Sequence, residues 1–337
     1  MATSANRSPK PSANLSPNKV EYPIPRYFEP GKTDEIWIER AQDIADIAKE
    51  YRQRHNIAPA VQDKTKIAVF GIDAQIGFVN SAGSLSVPGA IDDVNRAVEF
   101  IYRNIGRITS LQFSMDTHRV FQIFHPAFWV DAAGNNPPPF TPITTDDIRN
   151  GKWRAIHNPK LAYEYCETLE REGKKVLVIW PYHALVGGVS HPLVPAVMEA
   201  ALFHSIVRRA ETHLEAKGSH QMTENYSVLE PEVKAIGNTV VGELNTAFLD
   251  LLLKNDRIYI WGEASSHCVA ETVWSLERYI KNTDPTLLEK IYILEDAMSP
   301  VPKMGEGELD FPLLAQQAIE GFRSAGMSVV KTTDPIV

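Results

Sequence analysis

From Lys64 onward the chain alternates short apolar runs with longer segments whose apolar residues recur at helical spacing. The runs occupy 67–72, 108–113, 176–179, 212–216, 258–261 and 291–294, and the helical patterns 90–104, 159–172, 192–209, 243–254, 268–281 and 311–325. Repeated strand-then-helix units predict an α/β architecture, a three-layer doubly wound domain around a mostly parallel six-stranded sheet. Ahead of them Ile36, Ile38, Ala41, Ile44, Ile47, Ala48 and Tyr51 predict a helix within 34–54. Pro9, Pro11, Pro17, Pro23, Pro25 and Pro30 forbid a continuous helix before it, so residues 1–33 read as an extended arm, either solvated or wrapped on a neighbouring subunit. The predicted organisation is an arm over 1–33, a helical segment over 34–60 and a single domain over 61–337. An insertion at about 130–158 is marked by GNNPPPFTP, since three consecutive prolines fit neither a helix nor a central strand.

In open parallel sheets ligands collect at the carboxyl ends of the strands, where loops present polar groups on a rigid scaffold. The sequence places a reactive side chain after five of the six runs: Asp73, Asp116, His183, Lys217 and Cys268. Cys268 follows a strand and a small-residue turn and opens a helix, a setting whose backbone N–H groups and helix dipole favour thiolate and can also hold an oxyanion. Asp73 is a candidate base for that thiol, and Lys217 a positive charge that lowers its pKa. Taken singly, a lone aspartate is most often a turn residue and a lone lysine a solvated one; only convergence of the three makes a site. Cys166, within a helical pattern, reads as a small buried apolar residue.

Asp116 and His118 are two residues apart, so in an extended segment both side chains project to one side and can share a cation; His125 and His183 follow. A carboxylate with imidazoles suits zinc, manganese or iron better than magnesium.

Composition narrows the setting. With 337 residues, 44% of them hydrophobic and 23% charged, the chain has ample material for a core, and its formal net charge of -8 is the wrong sign for general nucleic-acid binding. No apolar run is long enough for a membrane span or a secretory signal, and two cysteines make no disulfide framework, so a cytoplasmic location is expected.

Five ordered motifs carry a resemblance. IDAQIGFVNSAGSLSVPGA, SMDTHRVFQIFHPAFW, WPYH at 180–183, KG at 217–218 and GEASSHCV at 262–269 resemble, over about 65–300, the signatures of the nicotinamidases and related isochorismatase-like cysteine hydrolases. The resemblance implies the isochorismatase-like hydrolase fold and a triad of Cys268 as nucleophile, Asp73 as base and acid, and Lys217. It implies Asp116, His118 and His183 as ligands of a divalent metal, with zinc first and manganese or iron as alternatives, and His125 as a fourth or water-mediated ligand. It further implies Phe78, Gln75 and Trp180 as substrate-binding residues, a cis bond between Glu263 and Ala264, and an oxyanion hole from the N–H groups around Ala264 and Cys268. Relatives are commonly homo-oligomeric. Two departures stand out: more than fifty residues separate the metal segment from WPYH, where compact nicotinamidases have a shorter connection, and Ala184 follows WPYH where a cysteine is usual.

The expected activity is hydrolysis of a small amide to the acid and ammonia through a thioester, with nicotinamide to nicotinate, a step of NAD salvage, as the leading case. The alternatives are a metal-independent carbamoyl or ureido amidohydrolase, and a non-catalytic binding or scaffold protein on the same fold.

Overall fold

The computed structural model describes residues 21–172, 176–303 and 310–337. Six parallel strands make the central sheet: β1 (Ile67–Ile72), β2 (Ser110–Asp116), β3 (Thr212–Lys217), β4 (Arg257–Gly262), β5 (Ile291–Leu294) and β6 (Ser328–Val330). Their spatial order is β6-β5-β4-β1-β2-β3, so the chain runs outward from β1 to β3 and then crosses to the other side at β4. The crevice of a doubly wound sheet lies where that direction reverses, here between the carboxyl ends of β1 and β4.

Side-chain alternation divides the core in two. Ile67, Val69, Leu111, Phe113, Tyr259 and Trp261 face one layer, with α1 (Ala41–Arg54), α2 (Ala90–Arg103) and α4 (Pro195–Arg208). Ala68, Phe70, Ile72, Ile258 and Ile260 face the other, with α3 (Pro159–Arg171), α5 (Thr246–Leu253), α6 (Ala270–Thr283) and α7 (Phe311–Ala325). Both faces of the sheet are thus covered, and the central β1 is buried along its whole length.

The sheet has the expected number of strands but not the expected set. The run at 176–179 stays outside it: Leu177 and Val178 pair antiparallel with Ile143 and Pro142 of the insertion, and Trp180-Pro181 follows, where proline has no N–H to extend a ladder. The sixth strand is instead Ser328–Val330, a three-residue, half-buried edge strand too short to leave a periodic signal. The predicted helix within 34–54 begins at Ala41, because the residues before it are drawn aside by the buried Glu199 carboxylate. That group accepts from Trp37 Nε1 at 2.9 Å and pairs with Arg40 at 2.8 Å.

Residues 1–20 of the expected arm lie outside the described residues. Its remainder packs on α2 and α4 of its own chain, with Tyr22 N–H donating to the Arg103 carbonyl and the Tyr27 and Tyr102 hydroxyls 3.0 Å apart. The insertion is folded onto the core by a two-residue ladder, Trp129–Val130 against Arg154–Ala155, and by a short helix, Thr145–Arg149, closed by the Thr144–Asp147 capping box. Among the described residues no helix is long and apolar enough to cross a membrane.

His204 in α4 is fully buried; its Nε2 sits 3.0 Å from the Ile108 carbonyl, which assigns that nitrogen the proton, and Nδ1 has no hydrogen-bond partner. Burial, with the Arg208 guanidinium nearby, pulls its pKa down to about 4. An unfolded histidine gains its proton near pH ~6.5, so the unfolded state binds protons first as pH falls. Stability is then lost across that window, by roughly 3 kcal/mol at its acid end. Thermal melting should show a shallower acid loss for His204→Gln than for the parent chain; equal slopes would refute the assignment.

Candidate active site and metal centre

Every reactive group named from the sequence sits at the carboxyl edge of the sheet or on a loop against it. Asp73 is the first residue after β1 and adopts a left-handed conformation, φ 50°, that turns the chain out of the strand. Asp116 closes β2 and Lys217 closes β3, and the two are direct partners in the β2–β3 register. Cys268 lies in a wide π-type turn, Ser265–Val269, that runs into α6.

The Lys217 ammonium is the junction of the site. It lies 2.9 Å from Asp73 Oδ2, bonds Asp116 Oδ1 closely, donates to the Asn225 carbonyl at 3.1 Å, and stands 3.5 Å from Cys268 Sγ. Asp73 Oδ1 also accepts from Ser114 Oγ at 2.6 Å, and the thiol lies in hydrogen-bonding reach of the Asp73 carboxylate. All three triad members are buried.

Burial opposes the charge on Lys217, but the Asp116 and Asp73 carboxylates outweigh it and hold the ammonium charged well past its ordinary range. Burial raises the Asp73 carboxyl, and the Lys217 cation only partly offsets this. The thiol departs from the sequence-based expectation. Burial pushes Cys268 up, and the Asp73 and Asp116 carboxylates add to this against the single cation Lys217, so the group rests as a thiol rather than a thiolate.

Beside the triad, Asp116, His118 and His183 bring one ligand atom each to within 4.8 Å of one another, all from buried residues. The remaining ring nitrogens are already used: His118 Nδ1 meets the Gly218 carbonyl at 3.0 Å and His183 Nδ1 the Pro181 carbonyl at 2.7 Å. Both Nε2 atoms therefore point at Asp116 Oδ2, from 3.3 and 3.9 Å, and are the ring nitrogens left to hold a metal. Burial lowers His183 to about 3 and His125 to about 4, keeping both rings uncharged. His125 Nε2 is buried without a hydrogen-bond partner, and its ring stands 5.9 Å from His118 and 6.1 Å from His183. One oxygen and two nitrogen donors with their outer bonds satisfied fit a borderline divalent ion. Gly218 is required here: its φ is +78°, and a Cβ would come within 2.6 Å of the His118 ring.

Asp116, His118, His183 and Cys268 open into one cavity, walled by Phe78, Leu85, Val87, Phe124, Trp180, Tyr226 and Val301. Phe78 and Trp180, expected to bind substrate, both line this cavity. Gln75 does not line the cavity; it is fully buried, and its amide donates to the carbonyls of Asp116 at 2.8 Å and His191 at 2.5 Å while its oxygen accepts the Asp116 N–H at 2.7 Å. Its place is behind Asp116, fixing that residue's backbone. The Glu263–Ala264 bond is cis, and Ala264 lines the cavity.

Sequence reasoning passed over Glu224, which accepts from Trp180 Nε1 at 2.9 Å and Tyr226 Oη at 2.7 Å and so sets the indole against the cavity. It also passed over His267, whose ring packs on Trp180, Tyr226 and Phe311. Glu224 lies in an irregular segment with no periodicity to flag it; His267 adjoins Cys268 within the GEASSHCV motif, which was its one available signal.

No family model and no curated protein sequence matches the chain. Solved structures do. A nicotinamidase pyrazinamidase of Acinetobacter baumanii is similar at 17% identity, covering 82% of this chain and 100% of that one with a TM-score of 0.50. The yeast nicotinamidase Pnc1p is similar in two structures. The one bound to the inhibitor nicotinaldehyde gives 17% identity over 79% of this chain and 99% of that one, TM-score 0.52. The other gives 18% identity over 78% and 99%, TM-score 0.52. The central sheet and its flanking helices thus have the isochorismatase-like α/β fold of those structures.

The donor geometry predicts stoichiometric binding of a divalent transition metal. Elemental analysis after dialysis against zinc should find metal on the parent chain and on Cys268→Ala but little on Asp116→Ala or His183→Ala. Equal metal on all four would place the ion elsewhere.

Proposed function

We propose that this chain is a cysteine amidohydrolase that converts a small amide to its acid and ammonia through a thioester, with nicotinamide as the leading substrate and NAD salvage as the setting. The observation that carries the reading is the contact of Asp73, Lys217 and Cys268 around one buried ammonium, at the floor of a cavity that also holds the Asp116, His118 and His183 donors. A neutral thiol beside a carboxylate of raised pKa suits proton transfer, because the two groups are closer in acidity than their free forms.

In this reading the Asp73 carboxylate takes the Cys268 proton as Sγ attacks the amide carbon, forming the S–C bond and moving the carbonyl pair onto oxygen. The backbone N–H groups around Ala264 and Cys268 receive that oxyanion. Asp73 returns the proton to the leaving nitrogen, the C–N bond breaks and ammonia departs, leaving the thioester. Water then gives its proton to Asp73 and its oxygen to the acyl carbon, and the thiol is released when Asp73 gives that proton back to sulfur. Lys217 stays protonated throughout and keeps Asp73 aimed at sulfur. The divalent ion held by Asp116, His118 and His183, with His125 close by, would supply a Lewis acid facing the same cavity.

Phe78 and Trp180 are among the apolar walls of the cavity, which favours an aromatic ring, and the yeast neighbour was solved with nicotinaldehyde bound. Both cysteines are unpaired, in keeping with a reducing cytoplasmic location, and a homo-oligomer is expected. Light scattering on the full chain reads the oligomeric state directly.

Ammonia release from nicotinamide should be readily measured for the parent chain and fall by about four orders of magnitude or more in Cys268→Ala, as for removal of a covalent nucleophile. Asp73→Asn should lose comparable activity while retaining the fold. Substantial turnover by Cys268→Ala would reject the thioester route. A metal-loaded chain that releases no ammonia from nicotinamide but does so from another amide would keep the chemistry and replace the substrate.

A further inference from the structure

The turn that presents Cys268 is braced from behind by two buried acids that the triad does not use. Glu263, the first residue after β4, has no exposed surface, and Asp93 on α2 is 2% exposed. The Glu263 carboxyl lies in hydrogen-bonding contact with that of Asp93. Each has an oxygen, Glu263 Oε1 and Asp93 Oδ2, buried without a hydrogen-bond partner among the described residues, while the Ser299 hydroxyl bears on the Asp93 carboxyl. Two acceptor-only carboxylates cannot face each other in a dry interior; one proton between them turns a repulsion into a hydrogen bond.

The remaining oxygens tie this pair to three segments. Asp93 Oδ1 pairs with Arg96 at 2.7 Å, and Arg96 Nε donates to the Asp296 carbonyl. Glu263 Oε2 accepts the Ser299 N–H at 3.4 Å. The segment so gripped is itself laced to the Cys268 turn. Ser265 N–H donates to the Ser299 carbonyl at 2.8 Å, and Val301 N–H donates to Ser266 Oγ at 3.2 Å. Ala264 and Val301 then line the cavity. The charged and titratable groups facing Glu263 are Asp93 and Arg96 from α2; Asp92 bears on Asp93, and from the 296–301 segment only the Ser299 backbone and hydroxyl approach.

We propose that Asp93 and Glu263 share one proton and act together as positioning residues, clamping the 263–268 turn and the 296–301 segment into the register that aims Cys268 and its neighbouring N–H groups into the cavity. The catalytic half of this statement rests on the proposed hydrolase reading; the shared proton does not. A proton retained by the folded pair but released by an unfolded glutamate above pH ~4.5 makes stability fall as pH rises from there toward the folded pKa.

The test compares the parent chain with Glu263→Gln, Asp93→Asn and Glu263→Val. An amide at either position keeps a donor between the partners but cannot ionise; valine removes it. Melting curves taken from about pH 4.5 upward should show a loss with rising pH in the parent that is smaller in both amide variants. At neutral pH, alkylation of Cys268 by iodoacetamide, read by mass spectrometry, should differ by less than about threefold in the amide variants and be slowed about tenfold or more in Glu263→Val by displacement of the turn. Ammonia release from nicotinamide should follow the same order, with the loss in kcat rather than KM. A loss over that range as steep in Glu263→Gln and Asp93→Asn as in the parent would overturn the shared proton. Should Glu263→Val not fold, alkylation as slow in both amide variants would overturn the positioning role, as would parent-like alkylation in a folded Glu263→Val. If no amide is hydrolysed, the melting and alkylation results still decide the inference while the hydrolase reading alone fails.

Discussion

A single buried cation holds this site together. Lys217 brings its ammonium between Asp73 and Asp116, two carboxylates that would otherwise repel each other in an interior shielded from water. Its fourth contact, the Asn225 carbonyl, leaves none of its charge without a polar neighbour. Removing one partner from a buried ionic group strands the others, at a cost of about 3–5 kcal/mol. The same ammonium also stands beside the Cys268 sulfur, so Asp116, Asp73 and Cys268 are electrostatically one unit. The geometry of that unit is set by the sheet. Asp116 and Lys217 are paired in register at the ends of adjacent strands, and Ile72 pairs with Gly262, which brings Asp73 level with the start of the Cys268 turn. A slip of one residue in either pairing would send the side chain to the other face and dissolve the junction.

The sequence made most of this legible because the chemistry lies at transitions between apolar runs and polar residues. Five of the six sheet strands and all seven long helices announce themselves by periodicity; Asp73, Asp116 and Lys217 stand where a run gives way to polar residues, and Cys268 lies in the turn that follows one. What stayed hidden was tertiary. Val176–Ile179 reads as a core strand because its composition is apolar, yet Pro181 and the insertion recruit it into a small antiparallel ladder. Ser328–Val330 reads as nothing because an edge strand of three half-buried residues needs no pattern. Gln75 sits within a motif that suggested contact with substrate, whereas its hydrogen bonds face the backbone of Asp116. Nothing in spacing distinguishes an amide that touches a ligand from one that holds the residue touching it.

The acidity of Cys268 separates local from global reasoning. A thiol at a helix start beside a lysine is, on local grounds, a thiolate. In the folded chain that lysine is already committed to two carboxylates, and the sulfur is buried, so the balance tips toward the neutral thiol. Such a nucleophile depends on a base placed to take its proton at the moment of attack, and Asp73 is raised by the same burial. One desolvated environment therefore moves both groups, and moving them together matters more to proton transfer than lowering either alone.

The places where the chain breaks local rules cluster around the same crevice. Asp73 holds a positive φ just past β1, and Gly262 does so at the end of β4, where a Cβ would lie 2.1 Å from the Ile72 carbonyl oxygen. Glu263 buries an acid against another acid one residue later. Such violations are tolerated where the surrounding fold over-determines them, and they concentrate where a site demands them. Here they fall on the two strands that flank the reversal of strand order, the one line along which a parallel sheet opens a crevice. Topology thus fixes where the pocket lies, the register decides which side chains meet in it, and the close approach of β1 and β4 there explains why a left-handed aspartate ends one strand while a glycine and a paired glutamate end the other.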